Sequence, residues 1–238
     1  MILNGANAIV TGASSGLGRS IASFLTQEGT RVYGMARRTD RLQELQNTLG
    51  EAFIPVPMDI TDRQAVKDWV ARTFNDEQQP DILVNNAGLA HMSAVDKQTD
   101  EEWDQMIDTN LTATFTLTRE LVPHMKSNPA VCHILNIASV AGLIGNPELS
   151  GYNASKFAVR GFSEALFKEL RYDGIKVSCM YPGSIDTEFF DKSGMTDRHP
   201  NMMHPDDVAR TALHLITTPD NLLINEVALR PLNPKRPE

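Results

Sequence analysis

Residues 6–18 read Ala-Asn-Ala-Ile-Val-Thr-Gly-Ala-Ser-Ser-Gly-Leu-Gly, a short β-forming run followed by a turn rich in glycine and serine. A helical pattern of apolar residues begins at Leu17 and continues to Glu28. The glycines at 12, 16 and 18 allow a tight turn and let the backbone approach a pyrophosphate, which would rest on the helix N-terminus. Glycine clusters also serve as plain turns, and the spacing Gly-x-x-x-Gly-x-Gly differs from the commoner Gly-x-Gly-x-x-Gly. The position between a first strand and a helix nevertheless favours dinucleotide binding.

Short apolar runs alternate with longer helical patterns along the rest of the chain. Strands are predicted at 6–10, 31–36, 53–58, 81–85, 131–137, 176–180 and 226–229. Helices are predicted at 17–28, 40–49, 62–75, 100–126, 152–171 and 205–217. Such alternation predicts an α/β fold, a single-domain, doubly wound parallel sheet (Rossmann fold) of about seven strands with helices on both faces. Ligands of these sheets bind at the carboxyl ends of the strands.

Composition narrows the classes of protein that the chain can represent. Its 238 residues carry 30 acidic and 22 basic side chains, a net charge of −8, and 41% of the residues are hydrophobic. The acidic balance gives no reason to expect a nucleic acid or an anionic membrane as a partner. No apolar run approaches the roughly 20 residues that cross a bilayer, and the N-terminus lacks the features of a signal peptide. We therefore expect a cytoplasmic protein with one domain at residues 1–238.

Cysteine and histidine usage gives two further expectations. Cys132 and Cys179 are too few for a disulfide-rich scaffold. They fall on two predicted strands at different heights, so we predict buried free thiols. The six histidines include no pair at the helical spacing of metal ligands with a third partner, so no metal site is predicted.

Further motifs follow the predicted strands in an order that resembles the short-chain dehydrogenase/reductase family. The matches extend from residue 11 to residue 187, and each lies at a strand end or on the helix where that family places it. They are Thr-Gly-x-x-x-Gly-x-Gly at 11–18, Asp59, Asn-Asn-Ala-Gly at 85–88, Asn110, Ser139, Tyr-Asn-Ala-Ser-Lys at 152–156, Pro-Gly at 182–183 and Thr187. The resemblance implies an oxidoreductase that transfers a hydride between a nicotinamide cofactor and a carbonyl or secondary alcohol.

The candidate catalytic residues are Asn110, Ser139, Tyr152 and Lys156. Tyr152 and Lys156 are four residues apart on a predicted helix and therefore share one face. A nearby ammonium favours the phenolate, so Lys156 is expected to lower the pKa of Tyr152 from its usual value of about 10. The resemblance implies that Tyr152 is the acid/base, that Ser139 holds the substrate oxygen and that Lys156 also bonds the nicotinamide ribose. It implies that Asn110 anchors a water leading from Lys156 to solvent. The alternatives are a Tyr–Lys pair that only covers a helix surface and an asparagine at a helix kink.

The end of the second predicted strand indicates which nicotinamide cofactor is used. Ala36 stands where enzymes that hold NAD usually carry an acidic residue, and Arg37 and Arg38 follow it. A guanidinium binds a 2′-phosphate through charge-assisted hydrogen bonds, so NADP (NADPH) is predicted. Arg37 is the expected main contact, with Arg38 on the adenine or the phosphate and Ser14 as a further donor. The alternative is a solvated charge run formed with Arg41, but basic charge at a helix N-terminus opposes the helix dipole.

The resemblance places further residues around the cofactor. Asp59 matches the adenine contact, although it also stands where a helix cap would. The residues predicted to contact the cofactor are Gly12, Ser14, Ser15, Gly16, Leu17, Gly18, Arg37, Arg38, Asp59, Ile60, Asn86, Ala87, Gly88, Tyr152, Lys156, Pro182, Gly183, Ile185 and Thr187.

The sequence leaves more than one class of substrate possible. Residues 224–231 resemble the family branch that includes small 3-hydroxy-acid (serine-type) dehydrogenases, and they lack the Asp-Gly-Gly of many 3-oxoacyl reductases. A small 3-hydroxy acid or a ketone is therefore expected, with a 3-oxoacyl thioester as the alternative and a non-catalytic NADPH-binding regulator as another. The resemblance also implies a substrate lid at 188–204 and a homodimer or homotetramer formed through the helices at 100–126 and 152–171. The tail at 233–238 is expected to be flexible.

Overall fold

The computed structural model describes residues 1–194 and 198–233, and the strands within these ranges form one parallel sheet of order β3-β2-β1-β4-β5-β6-β7. The strands are β1 (Asn7–Thr11), β2 (Arg31–Ala36), β3 (Phe53–Pro57), β4 (Ile82–Asn85), β5 (Cys132–Ile137), β6 (Ile175–Pro182) and β7 (Glu226–Leu229). The helices are α1 (Gly16–Gln27), α2 (Thr39–Leu49), α3 (Arg63–Thr73), α4 (Asp100–Ile107), α5 (Ala113–Ser127), α6 (Ser150–Leu170), α7 (Glu188–Ser193) and α8 (Pro205–Ile216). The predicted α/β fold with a doubly wound parallel sheet is confirmed.

Helices cover both faces of the sheet because successive strand residues point to opposite sides. Val10 of β1 belongs to a core cluster that includes Ile21 of α1 and Val208 of α8. Its neighbour Ile9 belongs to a second cluster, which includes Leu117 of α5. The strand order reverses between β1 and β4, and there the carboxyl ends of the strands open a crevice.

The prediction of one helix at 100–126 is wrong. Helix α4 ends at Ile107, a π-helical turn spans Asp108–Thr112, and α5 begins at Ala113. The extra residue of a π turn shifts the helix face, and such turns are frequent at functional sites. Here the turn carries Asn110, which is 1% exposed. The other predicted bounds lie within two residues of those in the structure.

The predicted lid contains α7 and continues through residues 198–204, where Met203 forms a parallel bridge with Ile185. Residues 195–197 of the lid and 234–238 of the predicted flexible tail lie outside the described residues.

The cysteines are buried free thiols, as predicted. Cys132 of β5 pairs with Ile175, whereas Cys179 of β6 pairs with Asn136, four residues further along the ladder. At about 3.3 Å per residue this separates the two positions by about 13 Å, too far for a disulfide.

None of the helices in the described ranges has both the length and the apolar character needed to cross a membrane.

Candidate active site

A cleft of about 1560 Å³ runs along the carboxyl edge of the sheet. Except for Gly18 and Asn110, every residue predicted for catalysis or cofactor binding lines it. Gly18 packs against Gly12 and Asn86, and Asn110 packs against Gly88, so both lie behind residues that line the cleft. A Cβ on Gly18 would lie 2.4 Å from both Asn86 Nδ2 and Gly12 O, so this glycine permits close packing of the turn rather than contact with a ligand.

The glycine-rich turn is fixed to the loop that follows β4. The hydroxyl of Thr11 accepts hydrogen bonds from the backbone N–H groups of Asn86 and Ala87, both at 2.9 Å. Gly12 and Gly16 adopt φ values of +68° and +52°, which other residues rarely adopt. The first turn of α1 carries no acidic side chain, and the side chain at its N-cap forms no capping hydrogen bond. Its backbone N–H groups are therefore suited to an anionic ligand.

Tyr152 and Lys156 project from α6 into the cleft opposite this turn. Both are almost fully buried, with 7% and 4% of their surface exposed, and Lys156 Nζ donates to the carbonyl oxygen of Ile137 at 3.0 Å. Ser139 follows β5 and lines the same cleft beside Tyr152. Its hydroxyl also accepts from the N–H of Ala141 at 3.1 Å, which holds the side chain at the cleft. These contacts exclude a Tyr–Lys pair that only covers a helix surface.

The pKa of Tyr152 shifts in the opposite direction to the one expected from the sequence. Burial raises it to about 12, against a smaller lowering by the neighbouring Ser139 side chain. Burial also lowers the pKa of Lys156 to about 8. The ammonium, 5.8 Å from the centre of the Tyr152 ring, does not offset the loss of solvent around both groups. Tyr152 is therefore an uncharged phenol at neutral pH, and this form of the side chain can donate a proton.

Asn110 is held by backbone and side-chain partners inside the π turn. Its Nδ2 donates to Leu89 O and to Ser155 Oγ, both at 2.9 Å, and its Oδ1 accepts from Leu89 N at 2.9 Å. A Cβ on Gly88 would lie 3.1 Å from Asn110 Oδ1 and 3.4 Å from Lys156 Nζ, so Gly88 separates these two groups. Asn110 is thus both the polar residue at a helix irregularity and a neighbour of Lys156.

Ser155 is a site residue that sequence reasoning missed. Its hydroxyl accepts from Asn110 and donates to the carbonyl oxygen of Tyr152 at 2.8 Å. The signal was present, because Ser155 lies inside the Tyr-x-x-x-Lys motif and is fully buried.

The two predicted phosphate-binding arginines have different surroundings. The Arg37 side chain is 74% exposed and lies 3.8 Å from Asp59 Oδ2. Arg38 is held against the turn, with its Nη2 donating to Ser14 Oγ at 3.0 Å and to Ser15 Oγ at 2.6 Å. The structure therefore anchors Arg38 more firmly than Arg37 beside the cleft.

A carboxylate that the sequence analysis did not single out contacts the arginines that follow β2. Glu188, the first residue of α7, contacts both Arg38 and Arg41. The alternative of a solvated charge run is therefore wrong for Arg38 and Arg41, which are ion-paired and only 31% and 37% exposed. It describes only Arg37, whose side chain is 74% exposed.

Asp59 does not cap α3, so that alternative is wrong. Its carboxylate accepts from the N–H and the hydroxyl of Thr61 at 3.0 and 2.8 Å. The cap is Asp62, which accepts from the N–H groups of Gln64 and Ala65. Asp59 lines the cleft beside Ile60, where the adenine contact is predicted.

The other end of the cleft combines aromatic and polar groups. The Phe189 ring of α7 lies 5.9 Å from the ring of Tyr152. His91 Nε2 lies 3.0 Å from Gln105 Oε1, and His199 faces the same space. Acidic residues of α4 and the π turn also line this end, namely Glu101, Asp104 and Asp108.

Known proteins resemble this chain in both sequence and fold. A family model described as short chain dehydrogenase matches residues 6–198. An uncharacterized oxidoreductase of Staphylococcus aureus (strain MRSA252) is 34% identical over 226 residues, covering 94% of this chain and 96% of that protein. The closed form of serine dehydrogenase complexed with NADP+ has a TM-score of 0.87 at 32% identity and covers 94% of each chain. The 3-ketoacyl-(acyl-carrier-protein) reductase from Brucella melitensis complexed with NADH has a TM-score of 0.88 at 29% identity, over 97% of this chain and 98% of that chain. The protein therefore belongs to the short-chain dehydrogenase/reductase family and is an oxidoreductase that acts on CH–OH groups.

Proposed function

We propose that the protein is an NADP(H)-dependent oxidoreductase that interconverts a carbonyl compound and a secondary alcohol, with Tyr152 as its acid/base. One observation carries the proposal: Ser139 and the buried Tyr152 and Lys156 meet in the cleft that the glycine-rich turn also lines. The turn fits a nicotinamide dinucleotide because its glycines keep the backbone accessible and the start of α1 offers N–H groups to a pyrophosphate. NADP+ in the serine dehydrogenase structure and NADH in the 3-ketoacyl reductase structure support a cofactor of this type.

In the proposed reaction, the bound cofactor supplies a hydride to the carbonyl carbon. Ser139 binds the carbonyl oxygen, and Tyr152 gives its phenolic proton to that oxygen as negative charge develops there. The products are the alcohol and a tyrosinate, which the nearby Lys156 ammonium stabilises by its charge. Tyr152 regains its proton from solvent by way of Lys156. Asn110 and Ser155, which are hydrogen-bonded to each other, lie close to that lysine. In the reverse direction Tyr152 removes the proton of the alcohol.

The preference for NADP over NAD rests on the arginines that follow β2. Arg37 and Arg38 line the adenosine end of the cleft, where no carboxylate stands at the end of the strand. A 2′-phosphate between these guanidinium groups and the hydroxyl of Ser14 would receive several charge-assisted hydrogen bonds. The NADP+ bound by serine dehydrogenase supports this preference, whereas the NADH bound by the 3-ketoacyl reductase is the reason to measure it.

Replacing Arg37 with Ala is expected to weaken NADPH binding about tenfold and NADH binding less than about twofold, since a hydrogen bond to a charged group contributes about 1.5–3 kcal/mol and Arg37 is largely exposed. The measurement is the Kd of each cofactor from a fluorescence titration. Arg72→Ala removes the same charge from an exposed position on α3, outside the cleft, and should change neither value. Equal losses for NADPH and NADH would contradict the assignment.

For the substrate, we propose a small 3-hydroxy acid or a ketone. The likeness to serine dehydrogenase supports the 3-hydroxy acid. In that case the imidazoles of His91 and His199, which line this end of the cleft, are available to the substrate carboxylate. The acidic lining from Glu101, Asp104 and Asp108 instead favours a neutral ketone, and it disfavours the alternative 3-oxoacyl thioester carried by an acidic protein. Rates for serine and related 3-hydroxy acids, for neutral ketones and for 3-oxoacyl thioesters separate these candidates.

A regulator that binds NADPH without turnover is the remaining alternative. It has no need for the catalytic group, yet Asn110, Ser139, Tyr152 and Lys156 are all present and, apart from Ser139, buried. We therefore favour the enzyme, and NADPH oxidation with any carbonyl substrate would exclude the regulator.

We also propose that the protein is a homodimer or homotetramer. Trp103 of α4, Phe115 of α5 and Phe157 of α6 are each 42% exposed, and a subunit contact through these helices would cover them. These helices are the ones predicted to form the subunit contacts. Light scattering should give two or four times the 26.3 kDa mass of one chain, and a monomer at micromolar concentration would contradict the proposal.

A further inference from the structure

Glu188 joins the start of the lid to the basic group at the adenosine end of the cleft. Its two carboxylate oxygens contact different arginines: Oε2 lies 3.1 Å from Arg38 Nη1, and Oε1 lies 2.5 Å from Arg41 Nη1. The three side chains are only 31–43% exposed, so the ion pairs are partly protected from solvent.

The Arg38 guanidinium also binds the glycine-rich turn. Arg38 Nε and Nη2 donate to Ser14 Oγ at 3.2 and 3.0 Å, and Nη2 donates to Ser15 Oγ at 2.6 Å. Thr187, the residue before Glu188, packs against the turn, because a Cβ on Gly16 would lie 3.1 Å from Thr187 Cγ2. The carboxylate thus contacts two guanidinium groups, one of which also holds two serine hydroxyls of the turn, and such a pair of guanidinium groups suits a phosphate.

We propose that Glu188 competes with the 2′-phosphate of NADP(H) for Arg38 and Arg41 and thereby sets how strongly the enzyme prefers NADP(H) over NAD(H). The inference rests on the proposed function, in which Arg38 faces the 2′-phosphate, and it adds Arg41, which shares Glu188 with Arg38. A phosphate monoester carries a charge of about −1.5 to −2 at neutral pH, against −1 for the carboxylate, so it displaces the carboxylate rather than joining it. NADH carries a neutral hydroxyl at this position and has no charge to exchange with Glu188.

Replacing Glu188 with Gln is expected to tighten NADPH binding about two- to fivefold, the size of a partly exposed ion pair, and to change NADH binding less than about twofold. The measurement is the Kd of NADPH and of NADH from fluorescence titrations at one fixed salt concentration. Asp191→Asn is the matched control. It removes the same charge from the same helix, but Asp191 pairs with Arg198 at 2.9 Å and not with the cofactor arginines. The control should leave the ratio of the two Kd values unchanged.

Three results would overturn the inference: weaker NADPH binding in Glu188→Gln, an unchanged ratio of the two Kd values, or an equal gain in Asp191→Asn. Weaker binding would mean that Glu188 orients the arginines for the phosphate instead of competing with it.

Arg38→Ala separates a failure of this inference from a failure of the cofactor proposal. If Arg38→Ala weakens NADPH and NADH equally, the 2′-phosphate does not lie on Arg38, and the competition is wrong. The cofactor proposal fails as well only if Arg37→Ala also gives equal losses. If Arg38→Ala weakens NADPH selectively while Glu188→Gln gives no gain, the cofactor proposal stands and only the competition is wrong.

Discussion

Replacing Tyr152 with Phe is expected to lower kcat by about 10²–10⁴-fold, the usual contribution of a positioned general acid. The change removes the hydroxyl that is proposed to donate the proton, but it keeps the ring that packs 5.9 Å from the Phe189 ring. Binding of NADPH should change less than about twofold, because loss of one hydrogen bond at the reacting centre acts on the transition state rather than on the cofactor.

Single-turnover rates and NADPH titrations on the same preparation test this expectation. Tyr172→Phe is the matched control, since it removes the same hydroxyl from a side chain that is 84% exposed and lies outside the cleft. It should leave both the rate and the Kd unchanged. A Tyr152→Phe enzyme with the wild-type rate would show that another group moves the proton.

Replacing Lys156 with Met is expected to lower kcat by about 10²–10⁴-fold as well, because the tyrosine then loses the ammonium that stabilises its charged form. The pH dependence should change in a defined direction. Burial lowers the pKa of Lys156 to about 8, so the ammonium is present below that pH and is lost as the pH rises through it. The wild-type rate of carbonyl reduction should therefore fall above about pH 8, and the Met variant should lack that fall.

Lys168→Met provides the control on the same helix. Lys168 is 61% exposed and pairs with Glu164, so its loss should affect neither the rate nor the pH profile. A fall in rate above pH 8 that persists in Lys156→Met would assign the titration to another group.

The fold and most of the site could be predicted because their signals are local in the sequence. Each strand is a short apolar run, and the crevice residues follow directly after strands, as Ser139 follows β5 and Asn86 follows β4. The pairing of Tyr152 with Lys156 needs only the helical repeat. The arrangement at the glycine-rich turn likewise follows from the three glycines of residues 12–18.

Features that depend on tertiary structure could not be predicted in this way. Within the π turn, the Asn110 side chain bonds Leu89 and Ser155, which lie 21 and 45 residues away in the chain. The direction of the Tyr152 pKa shift depends on burial, which residue spacing does not give. The contact between Arg38 and Glu188 joins residues 150 positions apart.

The central claim is tested most directly by steady-state rates on a panel of carbonyls and alcohols, each assayed with NADP(H) and with NAD(H). The panel includes small 3-hydroxy acids, diketones, sugars, steroids and 3-oxoacyl thioesters. We expect turnover of at least one of these compounds, with kcat/KM at least about tenfold higher for the phosphorylated cofactor, as one charge-assisted hydrogen bond would give. Turnover that favours NAD(H), or tight NADPH binding without oxidation by any member of the panel, would contradict it.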